Sequence, residues 1–77
     1  MKTAKEMFEK LGWEKFKLNE DSVCYRRKSY SIPVSYVIFY LVSGRFQLHF
    51  DGCNFEHMKG IMECCKQQSK ELGWLDE

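Results

Sequence analysis

Arg45-Phe46-Gln47-Leu48-His49-Phe50 alternates polar and apolar residues with a period of two, as a strand with one wet and one dry face must. A slip of one residue in pairing exchanges the two faces, so every neighbouring strand has to agree about which side is inside. Segments 14–18, 23–30 and 34–42 satisfy that demand together. With Ser43-Gly44 as a two-residue hairpin turn, glycine supplying the positive φ, Leu41 lies opposite Phe46, Phe39 opposite Leu48 and Val37 opposite Phe50. The reverse face then sets Tyr40 against Gln47, Ile38 against His49 and Tyr36 against Asp51. A Ser31-Ile32-Pro33 connection puts Tyr25 on Phe39 and Val23 on Leu41 inside, with Lys28 on Tyr36 and Arg26 on Ile38 outside. An Asn19-Glu20-Asp21-Ser22 turn puts Leu18 on Val23 and Phe16 on Tyr25, leaving Lys15 and Lys17 outside. Pro33 also admits a single bent strand from Tyr25 to Tyr40.

Helical spacing takes over on both flanks. Thr3 and Glu6 form a capping box, and Ala4, Met7, Phe8 and Leu11 follow on one stripe, which predicts a helix over Ala4 to Leu11. Gly12 then stands where a left-handed residue is wanted, and Trp13 falls against Phe8. Asn54 caps a second helix over Phe55 to Leu72, whose predicted buried stripe is Phe55, Met58, Ile61, Met62, Cys65 and Leu72. Gly60 inside it costs about 1 kcal/mol relative to alanine, so packing has to hold that helix. The predicted fold is a single α+β domain over residues 1–77, a two-layer sandwich of order α-β-β-β-β-α. Its four-stranded antiparallel meander carries both helices on the face of Phe16, Leu18, Val23, Tyr25, Val37, Phe39, Leu41, Phe46, Leu48 and Phe50. A chain of 77 residues has little room for a second core, and its 6 Phe, 4 Tyr and 2 Trp supply the density a small core needs.

Function is sought on the opposite, uncovered face, where the pattern places Lys15, Arg26, Lys28, Tyr36, Ile38, Tyr40, Arg45 and His49. Tyrosine and arginine are enriched at protein interface hot spots, so a protein partner or a homodimer is the leading expectation. Aromatic rings among cations also suit single-stranded nucleic acid, the alternative, although a net charge of +1 supplies no strong global field for it. Long Lys and Arg stems lying over the rings to keep an open sheet soluble is the plainest use of such a face. The chain is expected not to be an enzyme. Cys24 and His49 share the outer face but sit about 9 to 10 Å apart across the strands, too far for a nucleophile and its base, and no phosphate loop or carboxylate pair is present. No metal site is expected from Cys53, His57, Cys64 and Cys65 either: Cys53 and His57 form a half-site that lacks two ligands, His57 and Cys64 lie about 10 Å apart along a helix, and Cys64 and Cys65 point about 100° apart, one inward and one exposed. No cofactor or small-molecule substrate is implied. The opening residues lack the apolar core of a signal peptide and the run from Tyr36 to Val42 is too short to cross a bilayer, so the expectation is a cytoplasmic protein with no membrane partner and with its four cysteines as thiols.

The opening Thr3-Ala4-Lys5-Glu6-Met7-Phe8-Glu9-Lys10-Leu11-Gly12-Trp13 and the closing Gln68-Ser69-Lys70-Glu71-Leu72-Gly73-Trp74 give the chain a Leu-Gly-Trp at each end. In these segments, and in layout from end to end, it resembles a group of short uncharacterised proteins encoded by phages and prophages of Gram-positive bacteria. The resemblance implies a prophage-type origin and an accessory or host-interaction role, and it transfers no catalytic residues. The cysteine-rich second helix and the Arg26-Arg27-Lys28 run depart from the group's usual pattern.

Overall fold

A computed structural model describes residues 2–28, 35–50, 52 and 54–75. The chain runs α1 (Ala4–Lys10), β1 (Trp13–Phe16), β2 (Ser22–Arg27), β3 (Tyr36–Tyr40), β4 (Arg45–His49) and α2 (Phe55–Glu71). The strands form one antiparallel sheet in the order β1-β2-β3-β4. This is the α+β arrangement the alternation predicts, and Tyr25 and Tyr40 belong to two paired strands rather than to one bent one. Pro33 and the connection around it lie outside the described residues.

Both helices form where their caps say they should. The Thr3 side chain accepts from the Glu6 amide while the Glu6 carboxylate accepts from the Thr3 amide, closing the capping box of α1. Asn54 does the same work for α2 by accepting from the His57 amide at 2.8 Å. At its far end α2 closes in a Schellman turn: Gly73, at φ +77°, donates to the Lys70 carbonyl, and Trp74 donates to that of Ser69. That places Trp74 against Phe39, ring centres 5.9 Å apart. At the end of α1, Gly12 donates to the Glu9 carbonyl and Trp13 arrives 5.9 Å from Phe8.

The core gathers Ala4 and Phe8 of α1, Ile61, Cys64 and Cys65 of α2, and Trp13, Tyr25, Val37 and Phe39 of the sheet. Tyr25 stacks on Phe8 with ring centres 3.9 Å apart and donates its hydroxyl to the buried Gln68 side chain at 2.7 Å. A buried phenol needs such a partner, because an unmet one costs about 1–3 kcal/mol. The stripe of α2 therefore runs through Ile61, Cys64, Cys65 and Gln68. Phe55 is 66% exposed and Met62 50% exposed, which corrects the predicted stripe: Ile61 and Cys65 stay on it, and its centre turns toward Cys64 and Gln68.

Three pairing registers differ from expectation. Leu41 to Gly44 forms a four-residue turn, with Gly44 in the left-handed region and donating to the Tyr40 carbonyl, so β4 starts pairing at Tyr40 with Arg45. Phe39 consequently faces Phe46, and Val37 faces Leu48. Between β2 and β3 the pairs are Val23 with Phe39 and Tyr25 with Val37. Both slips are by two residues, which preserves the faces. Between β1 and β2 the slip is by one: Lys15 pairs with Tyr25 and Phe16 with Cys24. There the faces exchange, putting Trp13 and Lys15 on the helix side and Phe16 on the outer side. Phe16 is therefore not a core residue, and Leu18 and Leu41 are exposed rather than packed beneath the helices.

Candidate interaction surface

The registers lay the outer face out in three rows running across the strands. Glu14, Arg26, Tyr36 and His49 make the first; Phe16, Cys24, Ile38 and Gln47 the second; Ser22, Tyr40 and Arg45 the third. Six of the eight residues expected here, Arg26, Tyr36, Ile38, Tyr40, Arg45 and His49, do share this face. Lys15 does not, because the single-residue slip of β1 carries it to the helix side. Lys28 follows the end of β2, exposed, with its amide donating to the Gly12 carbonyl.

Side chains on this face are tied to one another. The Arg26 Nε lies 2.9 Å from a Glu14 carboxylate oxygen, and its guanidinium sits 5.1 Å from the centre of the Phe16 ring. Cation and carboxylate offset each other here, and the ring covers the guanidinium's flat side. Tyr36 stacks on His49 with centres 5.3 Å apart. Gln47 accepts from the Tyr40 hydroxyl and donates to that of Tyr36, bridging the two tyrosines that flank Ile38 on its own strand. Gln47 is also the residue paired with Ile38. Ile38 is accordingly only 8% exposed, and Cys24 beside it fully buried, so neither offers contact area. What this face presents is Arg26, Tyr36, Tyr40, Arg45, Gln47 and His49. The role of Gln47 as the link between rings was not singled out from sequence, although its place midway between the tyrosines in the alternation was there to be read.

The β4 border is the least covered part of the sheet. Arg45, Phe46, Gln47 and His49 are all exposed and Leu48 is half-buried. Phe46 is 53% exposed although it lies on the helix side, where its ring stands 6.0 Å from that of Phe39.

The groups considered for chemistry have structural roles. His57 accepts at Nε2 from the Trp13 indole N–H at 2.9 Å, which requires its own proton on Nδ1, and burial followed by the nearby Arg27 charge holds its imidazole below the ordinary histidine value. Cys64 and Cys65 are both buried, correcting the expected exposed neighbour, and burial pushes their thiols up to about 11 and about 12. Cys53 lies outside the described residues. Among the described residues, no three His, Cys, Asp or Glu side chains converge as metal ligands, and no helix is long and apolar enough to cross a membrane.

No family model, curated protein or solved structure matches the chain.

Proposed function

We propose that this is a non-enzymatic interaction protein whose contact surface is the outer sheet face together with its β4 border, and whose first partner is a second copy of the chain. The exposed β4 strand carries this reading. Natural sheets blunt an open edge with lysine, proline, a bulge or a covering loop. Arg45 to His49 carries its one full charge at the first residue, Arg45, contains neither lysine nor proline, pairs with β3 without a bulge, and exposes Phe46. The opposite border, β1, is short and carries Glu14 and Lys15. Antiparallel pairing of two β4 strands about Gln47 sets Phe46 against Leu48 on the helix side and Arg45 against His49 on the outer side, and it joins two tyrosine faces into one. The resemblance at the two Leu-Gly-Trp helix ends supports a phage or prophage accessory role, in the cytoplasm, for such a module. Light scattering should find a dimer at micromolar concentration and a monomer for Phe46→Lys; a monomeric wild type at millimolar concentration overturns self-pairing.

Single-stranded nucleic acid is the second reading, carried by the Tyr36–His49 stack, with Arg45 two rows further along the same face. It ranks lower because Lys15 lies on the other side of the sheet and Arg26 is engaged by Glu14. Its mark is an affinity that falls steeply with salt.

A further inference from the structure

The slip that removes Lys15 from the outer face brings it to α1. Lys15 and Lys17 of the β1 end and Lys5 of α1 line one hollow of about 610 Å³, together with Asn19, Glu20 and Ser22. Three lysines against one glutamate leave this lining with a surplus of two positive charges, in a chain whose whole net charge is +1. Among the described residues Lys15 and Lys17 make no ion pair, and Lys5 has only a 3.8 Å contact with Glu9 in which both side chains are about half exposed. Contacts of that length and exposure are weak and exchange readily. A neutral donor, the Asn19 side chain, stands beside the cations. The Asn19 carbonyl oxygen accepts from the Asp21 amide at 2.9 Å, which holds the side chain in place and leaves its NH2 group to donate.

We infer that this hollow binds a small polyvalent oxyanion of the diphosphate class. Like charges on two elements are brought to one concavity, where a multiply charged ligand accepts from ammonium and amide donors at once. Lysines suit such a ligand as mobile point charges, and the volume exceeds what a single phosphate fills. The site is separate from the β4 border and stands or falls independently of self-pairing.

Inorganic pyrophosphate titrated into 15N-labelled protein at constant ionic strength tests it. Saturable amide shifts should concentrate on Lys15, Lys17, Asn19 and Ser22. Removing two exposed ion contacts with Lys15→Gln/Lys17→Gln should weaken binding about tenfold. The pair Lys59→Gln/Lys66→Gln on α2, an equal change in net charge, should leave it within about twofold. Equal losses from both pairs, shifts spread over all the cations, or no saturable shift overturn the assignment, and matching amide spectra of the variants show that the fold is retained.

Discussion

At the scale of the residue, Trp13 decides more than any other side chain. It is fully buried, touches Phe8 and Phe50, and donates its indole N–H to His57. Its burial fixes the face of β1, since residues alternate along a strand and an inward Trp13 turns Phe16 outward. That constraint is legible without coordinates: placing Trp13 against Phe8 and Phe16 in the same core asks positions of opposite parity to share a face. The Trp13–His57 bond also makes stability depend on pH. An imidazolium has no lone pair left at Nε2 to accept from the indole, and burial followed by the Arg27 charge independently holds the folded-state pKa of His57 below its ordinary value, so the folded protein resists protonation there. In the unfolded chain His57 titrates near the usual value of about 6.5. Its full contribution is therefore present above about pH 6.5 and is lost as the pH falls through that value, levelling off below the folded value. Urea midpoints from pH 8 to pH 5 should fall in the wild type and fall less in His57→Gln. An equal decline in the variant refutes the role.

At the scale of the element, alternation and caps were readable and loop lengths were not. Helix bounds follow from Thr3, Asn54 and the Gly-Trp stops because those signals are local. Register depends on how many residues a turn consumes, and the Asx turn at Asn19 and the four-residue turn ending at Gly44 each shift it without an unambiguous sequence mark. Gly60 tests whether the packing of the second helix tolerates a side chain. A Cβ built there meets the Leu11 Cδ1 at 3.0 Å, so Leu11 has to yield by a few tenths of an ångström. It has room: Leu11 is half-buried, and it borders a hollow of about 350 Å³ shared with Met7 and Gly60. Alanine regains up to about 1 kcal/mol of helix propensity, which should exceed the cost of turning one terminal methyl. Gly60→Ala is expected to keep or raise the melting temperature. A fall of about 4–8 °C, corresponding to about 1 kcal/mol lost, would show Leu11 to be locked in place.

At the scale of the molecule, the two ends of the chain hold each other. The Ala4 amide donates to Glu71 at 2.6 Å, and Gln67 donates to the same carboxylate oxygen at 3.0 Å, so the last residue of α2 caps the first of α1. Glu71 is badly placed for its own helix, where a carboxylate in the last turn opposes the dipole by about 0.3–1 kcal/mol. It is well placed for α1, whose first amides lack partners and attract negative charge. A hydrogen bond to a charged group contributes about 1.5–3 kcal/mol when well shielded and less in this half-exposed setting, so the tie should exceed the dipole penalty by about 1 kcal/mol. Glu71→Ala is expected to lower the melting temperature by about 4–8 °C and to speed amide exchange in α1 ahead of the sheet. Glu71→Gln, which still offers Ala4 an acceptor and removes the opposing charge from α2, should lose less than half as much. If Glu71→Ala melts at or above the wild-type temperature, the dipole penalty is the larger effect, and α1 is held by its core residues and its capping box without help from Glu71.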